Sequence, residues 1–151
     1  MPKPFERTIA LMRTTADPED ERLKIEKLAV RCGTEGPQVA DLVMVIDGER
    51  QMTTQTGDGP VDATFNAVQA LFPHDARLQL YQVHAVTEGT DAQATVSVRM
   101  EDDGLIVTGQ SADTDTVVAS AKAYVNALNR LLVRRGKAGK DKAEISYKDV
   151  D

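Results

Sequence analysis

The feature that most limits what this chain can fold into is a pattern of three β-prone runs and one helical run that occurs twice. Alternating apolar residues predict strands, and apolar residues three and four positions apart predict helices. The predicted strands cover residues 23–32, 39–46, 50–56, 78–87, 92–100 and 105–109. The predicted helices cover residues 60–72 and 113–135. A β-β-β-α unit used twice is therefore expected.

Local turn signals support the repeat. Asp-Gly stands between the second and third predicted strands of each half, at 47–48 and 103–104, where it is a strong hairpin signal. Thr-Glu-Gly occurs at 34–36 and again at 87–89, and Asp62 matches Asp115 at the same offset of 53 residues, whereas the Asp-Gly pairs are displaced by three more. The predicted class is α+β, with two three-stranded antiparallel sheets related by a pseudo-two-fold axis. Each sheet is covered by its own helix and by the other half.

The domain organisation predicted from composition is a single regular region between two irregular ends. Residues 1–22 combine prolines with an acidic cluster and are interpreted as an arm or linker, with a short helix possible near residues 5–12. The regular region spans 23–135, with halves at 23–73 and 74–135. A basic stretch, Arg134, Arg135, Lys137, Lys140 and Lys142, is interrupted by glycine, which favours a solvated tail at residues 136–151 over a partner-binding one.

Charge and cysteine content exclude several classes of function. The 151 residues carry 18 basic and 24 acidic side chains, a net charge of −6, which argues against nucleic acid or an anionic membrane as partner. Cys32 is the single cysteine, so an internal disulfide is impossible and a cytoplasmic setting fits best. No apolar run is long enough to cross a membrane.

A glycine turn precedes the first predicted helix, in the sequence Thr-Gly-Asp-Gly-Pro-Val-Asp-Ala at 56–63. Glycine permits positive φ and close approach of a ligand to the backbone, and proline suits the first helical turn. A helix start of this kind presents unpaired N–H groups that favour a carboxylate or phosphate. Taken alone, the pattern is more often simple punctuation between elements.

Four motifs occur in order along the chain: Gly-Asp-Gly-Pro-Val-Asp-Ala at 57–63, Leu-Tyr at 80–81, Gly-Thr-Asp-Ala at 89–92, and the run from Asp115 to Asn129. Together they resemble the C-terminal regulatory domain of 2-isopropylmalate synthase, over about residues 23–132. The resemblance implies a domain that dimerises, binds leucine at the dimer interface and thereby inhibits a separate TIM-barrel acetyltransferase domain. It implies no cofactor. The related domain of citramalate synthase responds to isoleucine.

The resemblance and the residue chemistry together nominate an effector site. N–H groups of residues 59–62 would bind the carboxylate of an amino acid, Asp91 or loop carbonyls its ammonium group, and small apolar side chains its branched side chain. The candidate residues are Gly57, Asp58, Gly59, Pro60, Val61, Asp62, Ala63, Tyr81, Ala85, Asp91 and Ala92.

Catalysis and metal binding receive little support from the sequence. Four aspartates, Asp58, Asp62, Asp113 and Asp115, lie at predicted helix starts, where capping of N–H groups explains them. His74 and His84 lack the companions of a metal site, so structural roles are expected. The barrel residues of the synthase are missing from the chain, so we do not expect it to act on acetyl-CoA.

Two classes of function therefore stay open. The first is an allosteric amino-acid-binding and dimerisation module, responding to leucine or, as in citramalate synthase, to isoleucine. The second is a structural dimerisation domain without a ligand. An enzyme with its own active site is a distant third.

Overall fold

A computed structural model of the chain describes residues 21–85 and 93–148, with side chains described for 21–84 and 93–136. The short helix considered near residues 5–12 lies outside the described residues. In chain order the elements are β1 (Leu23–Arg31), β2 (Gln38–Ile46), β3 (Glu49–Gly57), α1 (Pro60–Leu71), β4 (Arg77–Ala85), β5 (Ala94–Asp102), β6 (Leu105–Asp113) and α2 (Thr116–Lys148).

The predicted α+β architecture is confirmed. The first sheet has the order β1-β2-β3 and the second sheet β4-β5-β6, and all pairings are antiparallel. Both Asp-Gly hairpins form as predicted: φ is 51° at Asp47 and 85° at Gly48, and 50° at Asp103 and 83° at Gly104. Positive φ at both central residues is the backbone of a type I′ turn, which aspartate and glycine tolerate.

Strand register shows how the two halves correspond. Ile25 pairs with Met44 in the first sheet and Leu78 pairs with Met100 in the second, each just before a bulge. Equivalent residues of β1 and β4 are thus 53 apart, whereas those from β2 and β5 onward are 56 apart. Three extra residues therefore lie in the β4–β5 connection.

The predicted match between Asp62 and Asp115 is wrong, because it assumed an offset of 53 residues. From β2 and β5 onward, equivalent residues of the two halves are 56 apart. α1 begins at Pro60 and α2 at Thr116, again 56 apart. The residue equivalent to Asp62 is consequently Val118, and Asp115 takes the place of Gly59. The second half repeats the strand–turn–helix geometry without the glycines.

Each helix covers one sheet, and the two helices contact each other between the sheets. α1 packs on β2 and β3, while α2 packs on β5 and β6 and also contacts β1. The core is made of the inward residues of the central strands and the facing residues of the helices. Its buried members include Leu42, Met44, Val68, Val96, Val98, Met100, Val107, Leu128 and Leu131.

Helix α2 reaches across to the first half through Asn129. Its Oδ1 accepts a hydrogen bond from the Leu23 N–H at 3.0 Å, and its Nδ2 donates to the Leu23 carbonyl at 2.9 Å. Asn129 is buried, so the pair of bonds satisfies backbone groups at the free edge of β1 that water does not reach.

The bounds of α2 differ from prediction at both ends. It begins at Thr116 instead of about 113, because β6 continues to Asp113 and Asp115 caps the helix. It continues past Arg135 to Lys148, through the segment interpreted as a tail. A glycine costs only about 1 kcal/mol in a helix, and the alanine, lysine and glutamate around Gly136 and Gly139 favour helix. No described helix is long and apolar enough to cross a membrane.

Candidate effector site

The two glycines before α1 have different structural roles, and neither has positive φ. A Cβ on Gly57 would lie 2.4 Å from the Ala63 nitrogen and 2.7 Å from Asp62 Oδ2, so glycine is needed there because the helix packs against the strand end. Gly59 is extended, with φ −146°, and a Cβ built on it meets nothing within 4 Å. The space beside Gly59 is therefore open.

The start of α1 is left without a side-chain cap. Gly59 is the N-cap residue, and its carbonyl accepts the first helical hydrogen bond from Ala63 N–H at 2.9 Å. Asp62 Oδ2 accepts a hydrogen bond from Asp58 N–H at 3.0 Å, on the strand side of the turn. Within the described residues, the N–H groups of Val61 and Asp62 have no acceptor. They form a small anion-accepting end.

The start of α2 is closed by its own carboxylate. Asp115 Oδ1 accepts hydrogen bonds from Val117 N–H at 2.8 Å and Val118 N–H at 3.2 Å. Asp113 Oδ1 accepts from Asp115 N–H at 2.9 Å, and its Oδ2 accepts from Lys122 Nζ at 3.2 Å. The Asp115 N–H, followed by Lys122, holds the pKa of Asp113 below its usual range.

The capping prediction is confirmed for Asp115, which accepts first-turn N–H bonds of α2. Asp62 and Asp113 instead accept N–H bonds from the turns that precede the two helices, from Asp58 and Asp115 respectively. Asp58 is exposed, and its carboxylate accepts no hydrogen bond from the described residues. The Asp58 side chain therefore faces solvent.

Tyr81 is brought to α1 by the packing of the two halves. Its ring makes an edge-on contact with the ring of Phe65, and the two ring centroids are 6.1 Å apart. Phe65 lies on α1 one helical turn after Val61. The Tyr81 hydroxyl lies 2.5 Å from Ser120 Oγ in the second turn of α2. Of the other candidates, Ala85 ends β4 but its side chain is outside the described set, as are Asp91 and Ala92.

An aromatic cluster behind Tyr81 was missed by sequence reasoning. Phe65 stacks on Tyr124 with centroids 4.2 Å apart, and the Tyr124 hydroxyl lies 2.9 Å from His74 Nε2. Burial raises the pKa of Tyr124 to about 12 and lowers the pKa of His74. Phe65 stands four residues after Val61, so helical spacing would have placed it beside the corner. The role of Tyr124 depends on contact between helices and has no local signal.

Apolar residues near Tyr81 are uncovered. Leu78, Tyr81 and Val83 of β4 pair with Met100, Val98 and Val96 of β5, which are buried. The three β4 side chains therefore lie on the core-facing side of the sheet. Leu78 and Val83 are nevertheless 45% and 42% exposed. The equivalent face of β1 is covered by α2, whereas α1 is too short to cover β4 in the same way.

Comparison with known proteins gives this arrangement a family. Residues 6–132 match the family described as the LeuA allosteric (dimerisation) domain. The chain belongs to this family. The match includes both β-β-β-α units and the glycine turn between β3 and α1.

Individual relatives agree with the family assignment. The chain is 58% identical over 130 residues to the 2-isopropylmalate synthase of Caulobacter sp. (strain K31), covering 86% of this chain and 25% of that protein. It is 56% identical over 115 residues to the 2-isopropylmalate synthase of Bradyrhizobium sp. (strain ORS 278), covering 76% of this chain and 22% of that protein. The chain thus spans about a quarter of the length of these relatives.

Metal binding is not suggested by the described side chains. They contain no group of three or more histidine, cysteine, aspartate or glutamate residues placed to hold an ion. His74 contacts Tyr124, and His84 is exposed on β4.

Proposed function

We propose that the chain is a homodimeric regulatory domain of a 2-isopropylmalate synthase that binds leucine at the start of α1. The observation that carries the proposal is the difference between the two helix starts. Asp115 provides a carboxylate to α2, while the equivalent position at α1 is Gly59, with open space beside it. A ligand carboxylate would take the place that the Asp115 carboxylate takes in the other half.

The physical basis is the positive end of the helix dipole. A carboxylate near unpaired first-turn N–H groups gains roughly 0.3–1 kcal/mol from the dipole at an exposed site, besides charge-assisted hydrogen bonds. The N–H groups of Val61 and Asp62 are the available donors. Pro60 has none, and it sets the backbone that presents the other two.

The remainder of an amino acid would be held by groups around the corner. Val61, Phe65 and Tyr81 supply apolar surface for the branched side chain. We assign the ammonium group to Asp91 or to loop carbonyls near Ala92. Because Leu78 and Val83 stay exposed beside Tyr81 in one chain, we propose that a second copy covers them and completes the pocket.

The relatives' names favour leucine over isoleucine as the effector, since they are 2-isopropylmalate synthases. In this proposal the acyl transfer belongs to the remainder of such a synthase, a cytoplasmic enzyme, and this domain only regulates it. The second candidate is a dimerisation domain without a ligand. A domain without a ligand would keep the same fold. Gly57 packs against α1, and Asp62 accepts its hydrogen bond from Asp58 N–H, whether or not a ligand binds.

Calorimetric titration of the chain with leucine, isoleucine and valine tests the proposal. Leucine should bind, and valine, which is one methylene shorter, should bind about 1 kcal/mol more weakly. Leucine at a hundredfold above its dissociation constant should stabilise the fold by about 2.7 kcal/mol.

Gly59→Ala should weaken leucine binding, because the added methyl group occupies the space that the carboxylate needs. Gly33→Ala is the matched control, since a Cβ at Gly33 also meets nothing within 4 Å. Unchanged affinity in a folded Gly59→Ala protein would remove the corner from the site. Absence of any amino-acid effect on melting temperature would favour the ligand-free domain.

A further inference from the structure

The edge of the second sheet is closed by side chains from α2. Arg130 Nη1 donates to the Thr108 carbonyl at 2.7 Å, Arg134 Nη1 donates to the Ile106 carbonyl, and Asn126 Oδ1 accepts from Gln110 N–H at 3.3 Å. The three side chains lie four residues apart on one helix face, and they bond to alternate residues of β6. They occupy backbone groups that would otherwise pair with another strand.

The corresponding edge of the first sheet is open. Ile106, Thr108 and Gln110 are equivalent to Arg50, Met52 and Thr54 of β3. Within the described residues, no side chain or strand bonds to the outward backbone groups of these three. Closure is limited to Thr56, whose carbonyl accepts from Asn66 Nδ2 at 3.0 Å.

Two features of α1 explain the difference. The residue equivalent to Asn126 is Ala70, which is too short to reach β3. The position equivalent to Arg130 falls at His74, after α1 has ended at Leu71. Shortening of the first helix thus uncovers the edge.

β3 has few of the features that usually protect an exposed strand, and its charges are confined to Glu49 and Arg50. It pairs with β2 over nine residues without a bulge, and it contains no lysine or proline. From Gln51 to Thr56 it carries no charge. Met52 points outward from the sheet and is 75% exposed, where the second sheet has Thr108.

We propose that β3 is the surface on which a second copy of this chain pairs, with the two β3 strands antiparallel across a two-fold axis. This rests on the homodimer of the proposed function and specifies its contact. An axis at Thr53 uses the full length of the strand, placing Arg50 opposite Thr56 of the partner subunit and Met52 opposite Thr54 of the partner subunit. No like charges meet, and the neutral strand is complementary to itself. The result is a continuous six-stranded sheet.

Cysteine cross-linking in the full chain tests the pairing. Cys32→Ser removes the natural thiol, and Met52→Cys, Thr53→Cys or Thr54→Cys then places one thiol on β3. An axis at Thr53 makes that residue face its own copy as a non-hydrogen-bonded pair, with Cα atoms about 4.5 Å apart, within disulfide reach. We expect rapid disulfide-linked dimers from Thr53→Cys and none from Thr108→Cys or Gln110→Cys, the matched positions on β6.

A charge-based variant gives an independent result. Met52→Lys combined with Thr54→Lys should shift the dimer towards monomer by at least tenfold in dissociation constant in sedimentation, while Thr108→Lys with Gln110→Lys should not. Failure of all three β3 cysteines to cross-link, with a dimer unaffected by the lysines, overturns the proposal. Leucine titration of the same proteins separates the two ideas: binding without β3 pairing leaves the proposed effector intact, and β3 pairing without binding leaves the contact intact.

Discussion

At the scale of single residues, the two glycines of the turn before α1 have different physical roles. Gly57 is required by the backbone of α1, which leaves no room for a Cβ, whereas Gly59 faces open space. Sequence alone suggests one reason for both, namely ligand approach. In the structure, only Gly59 of the two has the open space that ligand approach requires.

The first prediction follows from this difference. Gly57→Ala should lower the free energy of unfolding by about 1–3 kcal/mol, because α1 must shift to admit the methyl group. Gly59→Ala, with an extended backbone and free space, should change it by less than about 1 kcal/mol. Urea unfolding at matched protein concentration measures both. Equal losses in the two variants would contradict the assignment.

The second prediction concerns the helix cap of α2. Asp115→Ala should destabilise the fold by about 1 kcal/mol, since the N–H groups of Val117 and Val118 lose their acceptor. Asp58→Ala is the control, because the Asp58 carboxylate accepts no bond from the described residues. A loss from Asp58→Ala as large as that from Asp115→Ala would show that capping is not what distinguishes them.

At the scale of elements, α2 organises more of the molecule than its counterpart α1. It covers the second sheet, bonds to the edges of β6 and β1, and contributes Tyr124 to the contact with α1. Its close approach to β6 depends on Gly109, where a Cβ would lie 2.2 Å from the Ala123 carbonyl oxygen. α1 makes fewer connections and leaves β3 and β4 partly open.

The third prediction tests the connection between α2 and β1. Asn129→Ala removes both partners of the buried Leu23 N–H and carbonyl groups, and each unpaired group costs about 1–3 kcal/mol. We expect a loss of at least about 2 kcal/mol in thermal or urea unfolding. Asn126→Ala removes one exposed hydrogen bond and should cost less than about 1 kcal/mol. Similar losses would mean that the Leu23 backbone groups find other partners.

At the scale of the whole molecule, the two halves meet at an aromatic cluster with an ionisable residue. His74 follows α1 and contacts Tyr124 of α2, and burial, with a smaller contribution from Arg135, lowers its pKa, while Asp75 acts in the opposite direction. The folded protein therefore favours neutral histidine. Protonation of His74 works against the junction between the halves.

The fourth prediction is the resulting pH dependence. In the unfolded chain His74 titrates near 6.5, above its pKa in the folded protein. Its contribution to stability is complete above about pH 6.5 and declines as the pH falls towards the lower folded pKa, because the unfolded state binds the proton first. Melting temperature should therefore drop between pH 7.5 and 5.5, and His74→Gln should reduce that drop. His84→Gln, at an exposed position on β4, should leave it unchanged; an unaltered drop in His74→Gln would exclude His74 as its source.

What the sequence determined by itself is the set of features that depend on neighbouring residues. Apolar alternation, Asp-Gly pairs and helical spacing identified six strands, two hairpins and two helices, because those signals act over a few residues. The four motifs led to the regulatory-domain family for the same reason, since each is a short contiguous run. Strand ends were less accurate, as with β6, which continues to Asp113.

Tertiary structure alone decided the features that join distant parts of the chain. These are the true correspondence of Asp115 with Gly59, the steric need for Gly57, the contact of Tyr81 with Phe65, and the closure of β6 beside an open β3. Leu23 and Asn129 are 106 residues apart, and no local pattern joins them. The physical reason is that packing distances and backbone satisfaction are set by which elements become neighbours, and that is fixed only when the two units fold against each other.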